Sequence, residues 1–294
     1  MIERILVPLD GSHTAEAVLP HARRLARVAG AEILLLRAVP VAGVDGGEPV
    51  FRNSVQEAQD YLDGLRAKLE SAGFRARVVV RAGGPAETVL GVAAELKAEL
   101  LAFATHGRTG AQRLVLGSVA ETLLRSTPIP VLAVRPFWTY DVQPEGGVEA
   151  QPLRTILLPV GSGDRSLCVL PHALTWARLF HARVMILHAR ASGDDVPDPA
   201  VAEIAERFRE EGVEVTTLIE PGNPVDTILE ACRARAVDLA VMSTHGRSGL
   251  SRLVLGSVTE EVLRQARTPL LVVRGDPSPK LPWKISETTR VKRK

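Results

Sequence analysis

Apolar runs of strand length alternate with segments of helical spacing along the first half of the chain. Arg4–Leu9 is a continuous apolar run once past its first residue, and Ile33–Val39, Arg75–Arg81, Leu100–Ala104 and Val131–Val134 are further short runs. Between them, Ala15–Ala29 places apolar residues at Ala15, Val18, Leu19, Ala22, Leu25, Ala26 and Ala29, and Gly30 closes it. Ser54–Ala72, stopped by Gly73, with Pro85–Lys97 and Ser118–Ser126, completes the helical set. Strands that are apolar throughout are covered on both faces, and strands joined by helices run parallel. The pattern therefore predicts a doubly wound, Rossmann-like α/β domain with five strands and four helices. Pro20 falls inside the first helical stretch and is expected to kink it.

The second half repeats the first. Ile5-Leu6-Val7-Pro8-Leu9 matches Ile156-Leu157-Leu158-Pro159-Val160, and Leu19-Pro20-His21-Ala22 matches Leu170-Pro171-His172-Ala173, both offset by 151. Gly84–Thr88 then matches Asn223–Thr227 at an offset of 139, and Thr105–Glu121 matches Thr244–Glu260 with 13 of 17 positions identical. The change of offset places about 12 extra residues in the first copy, expected as a loop around Gly43–Asn53. A period this long means two whole domains. Residues 1–138 form the first and 152–275 the second, with a non-periodic linker at 139–151 and a tail at 276–294. The 294 residues suit two domains at roughly 150 residues each.

Charge sharpens that division. The chain carries 36 basic and 34 acidic residues, but 276–294 holds six of the basic and two of the acidic ones. The body is therefore slightly acidic and the tail a solvated basic segment, which argues against nucleic acid as the main partner. No apolar run is long enough for a membrane span, and the opening residues lack a signal-peptide pattern. Cys168 and Cys232 are the only cysteines, which fits a reducing cytoplasm, and both read as packing residues. The few aromatics form no stacking platform for single-stranded nucleic acid.

The segment after the fourth strand carries the candidate chemistry: Thr105-His106-Gly107-Arg108-Thr109-Gly110, then Leu116-Gly117-Ser118-Val119 opening a helix. Gly107 and Gly110 allow close backbone approach, and a helix N-terminus suits an anion such as phosphate. The second copy repeats this with Gly246, Gly249, Gly256 and Ser257. A plainer reading stays beside it: Ser118-x-x-Glu121 and Ser257-x-x-Glu260 have the spacing of capping boxes. His106 and His245 would then satisfy local backbone, and Arg108 and Arg247 would be either phosphate partners or solvated loop residues.

The chain resembles the universal stress protein family in its tandem form. The likeness rests on Ile5-Leu6-Val7-Pro8-Leu9-Asp10-Gly11-Ser12, the strand end Leu35-Leu36-Arg37-Ala38-Val39, the glycine loop and Pro130-Val131-Leu132-Ala133-Val134. It implies an adenine nucleotide alpha hydrolase-like fold whose two domains pair through the closing strands as a pseudo-dimer. The family's ATP-binding members carry Gly-x2-Gly-x9-Gly-Ser/Thr, and Gly107-x9-Gly117-Ser118 and Gly246-x9-Gly256-Ser257 match its last three positions. Ala104 and Ser243 stand where the first glycine would be, and Gly161 stands where the second copy would repeat Asp10, with Asp164 three positions later.

The resemblance implies a nucleotide site of Pro8, Asp10, Ala38, Ala104, His106, Gly107, Arg108, Gly110, Gly117, Ser118 and Val119. A second, weaker site would use Ala189, Ser243, His245, Gly246, Arg247, Gly249, Gly256, Ser257 and Val258. The weakness follows from chemistry: a carboxylate accepts bonds from ribose hydroxyls and glycine cannot. The expected ligand is ATP, with or without Mg2+, and the expected role is a cytoplasmic stress-response binding switch. No P-loop lysine, nucleophile–base pair or metal-ligand cluster points to a catalyst, although slow ATP hydrolysis stays open. The alternative is a nucleotide-free scaffold for a protein partner. Homodimerisation also stays open.

Overall fold

The structure, a computed structural model, describes residues 2–41, 47–105, 116–136, 151–161, 164–190, 199–244 and 255–274. The chain divides into two compact units, Met1–Gln151 and Pro152–Lys294. Residues 139–150 of the expected linker and the whole basic tail, 276–294, lie outside the described residues.

In unit 1 the elements follow in the order β1 (Arg4–Pro8), α1 (His13–Glu16), α2 (Leu19–Ala29), β2 (Glu32–Val39), α3 (Gly47–Ser71) and β3 (Ala76–Ala82). They continue with α4 (Pro85–Glu95), β4 (Leu100–Ala104), α5 (Ser118–Ser126) and β5 (Val131–Val134). Every pairing is parallel and the strand order is β3-β2-β1-β4-β5. Unit 2 comprises β6 (Thr155–Pro159), a 3-10 turn (Asp164–Val169), α6 (Leu170–Phe180), β7 (Arg183–Arg190), α7 (Pro199–Glu210) and β8 (Val215–Pro221). It ends with α8 (Pro224–Ala234), β9 (Leu239–Ser243), α9 (Ser257–Gln265) and β10 (Leu270–Val273), in the order β10-β9-β6-β7-β8.

The continuous apolar strands are the ones helices cover on both faces. Ile5, Leu6 and Val7 of β1 and Leu34, Leu35 and Leu36 of β2 are fully buried, as are Ile156, Leu157 and Leu158 of β6. In each unit the first two connections step outward on one side of the central strand, and the third returns to its other side. The order therefore reverses between β1 and β4, and between β6 and β9. At such a switch point the carboxyl ends of the strands leave a crevice.

The helices correct two expectations. Pro20 does not kink a long helix: the chain breaks after Glu16, and Pro20 sits in the first turn of α2. Pro171 does the same in α6 after the 3-10 turn. A proline in a first turn removes an N–H that has no intrahelical acceptor, so the break avoids the cost of an interior proline. The extra residues of unit 1 are not all loop either. They lengthen α3, which begins at Gly47 and runs 25 residues against 12 in α7.

The cysteines pack as expected, Cys168 being 5% and Cys232 6% exposed. Burial pushes the Cys232 thiol up to about 11, against a smaller opposing effect of its hydrogen bond with Thr268. Only the thiolate is a good nucleophile. Cys232 should therefore ignore a disulfide reagent such as DTNB at neutral pH until denaturant exposes it. Stoichiometric labelling of the folded protein at Cys232 would contradict this packing.

Candidate functional site

The crevice of unit 1 lies at the carboxyl edge of the neighbouring strands β2, β1 and β4. The chain leaving β1 passes Asp10 and turns at Gly11, whose φ of 81° is a left-handed conformation that favours glycine. Asp10 Oδ1 accepts bonds from the Ser12 backbone N–H at 2.9 Å and from Ser12 Oγ at 2.6 Å. Ser12 Oγ also accepts from the Ala15 N–H and so caps α1. A half-buried carboxylate is thereby held in one place at the mouth of the crevice.

The chain leaving β4 is pinned at its base. The Thr105 N–H bonds the Val134 carbonyl at 2.9 Å, and the Thr105 carbonyl accepts the Gly117 N–H at 3.1 Å. A Cβ at Gly117 would lie 3.3 Å from that carbonyl, which is why a glycine suits this close approach. Unit 2 repeats the closure between Gly256 and Thr244. The loop residues His106, Gly107, Arg108 and Gly110, with His245, Gly246, Arg247 and Gly249, lie outside the described residues.

The capping-box reading fails on geometry. Gly117 is the N-cap of α5 and Gly256 that of α9, neither with a side-chain cap among the described residues, so Ser118 and Ser257 stand one residue too far inside. Both serines are exposed. Glu121 and Glu260 do not reach back; they pair forward with Arg125 and Arg264. The first helical bond of α5 runs from the Glu121 N–H to the Gly117 carbonyl, so the N–H groups of Ser118, Val119 and Ala120 precede the ladder. Val119 is 38% exposed, an apolar side chain standing beside them. Such an end offers N–H donors and the positive end of a helix dipole.

The remaining candidates stand at the same edge. Pro8, Ala38 and Ala104 are half-buried residues at the ends of β1, β2 and β4, and Ala189 and Ser243 stand at the ends of β7 and β9 in the same way. The Ser243 carbonyl accepts from Thr259 Oγ1 at 2.7 Å. Val258 is half-buried in the first turn of α9.

Three further residues of unit 1 are not among the site candidates that the sequence offers. Tyr61 of α3 donates its hydroxyl to Glu16 Oε1 of α1 at 2.9 Å. The Arg37 guanidinium near the end of β2 lies 5.4 Å from the centre of the same ring. At the positions matching Tyr61, Glu16 and Arg37, unit 2 has Ala200, Leu167 and His188. His188 is buried, with Nδ1 2.9 Å from the Val160 carbonyl. The one sequence signal that marks all three is a difference between the two copies, where motifs are found from identities.

Comparison with known proteins agrees with this architecture. A family model described as the universal stress protein family matches residues 1–135 and again 152–274. The chain belongs to the universal stress protein family. A universal stress protein of Mycolicibacterium smegmatis is 25% identical over 299 residues, covering 92% of this chain and 96% of the relative. One from Thermus aquaticus is 31% identical over 137 residues, covering 46% of this chain and 100% of the relative. The crystal structure of a universal stress protein from Archaeoglobus fulgidus superposes with a TM-score of 0.77 at 22% identity, covering 92% of this chain and 98% of that one, which shows a common fold. Among the described residues of this universal stress protein, no helix is long and apolar enough to cross a membrane, and no group of three metal-ligating side chains occurs.

Proposed function

We propose that unit 1 binds an adenine nucleotide, ATP in the first instance, and that the protein acts as a nucleotide-occupied switch in the stress response instead of as a catalyst. The observation that carries this reading is the start of α5, which no side chain of the described residues caps. It opens at the switch point of the sheet beside a carboxylate held by Ser12. Phosphates would take the N–H groups of Ser118–Ala120 with the Ser118 hydroxyl. Asp10 would accept from the ribose, and Ala38 and Val119 would give apolar contact to the base and sugar. His106, Gly107, Arg108 and Gly110 would close over the phosphates. Occupancy would favour one conformation of the protein over another, which is all a binding switch requires.

Unit 2 keeps the helix end but not the acid. Its site is the weaker one in this reading, because Gly161 replaces the ribose acceptor. Asp10→Ala should lower ATP affinity by roughly 10- to 100-fold, the size of a lost bond to a charged group. Isothermal titration of the full chain checks this. An affinity that survives Asp10→Ala but is lost on Gly256→Val would move the principal site to unit 2. A protein that neither co-purifies with nucleotide nor takes up ATP would favour a scaffold for a protein partner.

A further inference from the structure

Glu16, Arg37 and Tyr61 come from three elements and meet at one place. Glu16 ends α1, which begins three residues after Asp10. Arg37 precedes Ala38 near the carboxyl end of β2. Tyr61 matches Ala200, the second residue of α7, so it stands at the level where the shorter helix of unit 2 starts. In a parallel α/β unit a helix that follows a strand starts near the carboxyl edge of the sheet. The trio therefore belongs to the same edge as Asp10.

The contacts form a brace. The Tyr61 hydroxyl ties α3 to α1, and the guanidinium over its ring ties α3 to β2. Burial first, and then the bond to Glu16, raise the Tyr61 pKa, and Asp10 adds to the effect in the same direction. Tyr61 thus stays a neutral donor within electrostatic reach of the Asp10 carboxylate. Arg37 supplies a cation beside the ring, and at Tyr61 its charge opposes those of Glu16 and Asp10.

Unit 2 has replaced the set as a whole. Asp10, Glu16, Arg37 and Tyr61 correspond to Gly161, Leu167, His188 and Ala200. A brace that served only the stability of the fold would have reason to persist in both copies of one architecture. This one is present where the acid is present and absent where the acid is absent.

We propose that Tyr61, held by Glu16 and Arg37, is a positioning residue that fixes the Asp10 side of the crevice and makes unit 1 selective for ribonucleotides over nucleotides lacking ribose hydroxyls. The proposal rests on the reading of unit 1 as a nucleotide site. Tyr61 acts through Asp10, so its removal weakens only those ligands that use Asp10.

Titration of the full chain with ATP and with 2′,3′-dideoxy-ATP tests it. The wild type should prefer ATP by about tenfold or more, one bond to a charged acceptor. Tyr61→Phe should lower ATP affinity by most of that factor while leaving dideoxy-ATP within about twofold, so the preference collapses. Glu16→Ala should act like Tyr61→Phe, and Glu16→Gln, which keeps an acceptor for the hydroxyl, should restore the preference. Equal losses for both nucleotides, or a preference unchanged in Tyr61→Phe, would overturn the positioning role alone. A wild type that binds neither nucleotide would overturn the site reading and this inference with it.

Discussion

Ser118→Glu should abolish ATP binding by unit 1, with a loss of about 100-fold or more, while leaving thermal stability at or slightly above that of the wild type. The residue is exposed at the first helical position of α5, so a longer side chain can extend into solvent. A carboxylate near a helix N-terminus stabilises it by about 0.3–1 kcal/mol. The same carboxylate would occupy the N–H groups that the phosphates need and repel them at close range. Two unit charges about 4 Å apart interact by roughly 4 kcal/mol at an effective dielectric constant near 20, more than the 2.7 kcal/mol or so that a 100-fold loss requires. Ser257→Glu is the matched control. Gly256 caps α9 as Gly117 caps α5, so its effect on stability should be the same. Its effect on ATP affinity should stay within about twofold, because the crevice of unit 2 lacks the Asp10 acceptor. A larger loss in Ser257→Glu than in Ser118→Glu would reverse the assignment of the sites. Titration calorimetry and a thermal melt on each variant separate the two effects.

The fold should also lose stability steeply in mild acid, with His21 as a principal cause. His21 lies on α2, is 5% exposed, and has a ring Nδ1 without a hydrogen-bond partner among the described residues. Burial, and then the charge of Arg24, push it down to about 3 from the ordinary 6.5. The sign follows from linkage. Between those two values the unfolded chain binds a proton that the native state refuses, so acid favours unfolding. The contribution is complete above the unfolded value of 6.5 and fades as the pH falls toward 3, at about 1.4 kcal/mol for each pH unit. His172, the matching residue of α6, is shifted the same way by burial and should add to the loss. Urea unfolding of the wild type and His21→Leu at pH 6 and pH 4.5 checks the claim. The variant should lose about 2 kcal/mol less over that interval. Equal losses would mean that His21 takes up its proton without leaving the native fold.

Much of unit 1 is legible in the amino-acid sequence because its signals are local. β4, α5 and β5 begin and end where the hydrophobic period predicts, and Gly30 stops α2 as its position after the last apolar residue suggests. The errors occur where a neighbour distant in sequence decides. Ser118 has the spacing of a cap, yet the Thr105 carbonyl takes the Gly117 N–H and makes the glycine the N-cap. The extra residues around Gly47 have loop composition, yet α3 starts there. Its apolar Leu62, Leu65 and Leu69 are buried, and packing of this kind outweighs weak local propensity.

The sequence by itself determined that the chain is two copies of a parallel α/β domain, that each carries a glycine loop before a helix, and that Asp10 belongs to one copy only. Those facts reside in periodicity, in identity between segments and in residue type, which need no third dimension. The tertiary structure decided which strand ends lie side by side, and hence where the crevice opens. It also decided that the start of α5 has a glycine for its N-cap and that Glu16, Arg37 and Tyr61 meet. These depend on the order in which strands pair and on the side to which each crossover returns. Residues 16, 37 and 61 sit on separate elements of no shared motif, and only the packing of α1, β2 and α3 brings their side chains into contact.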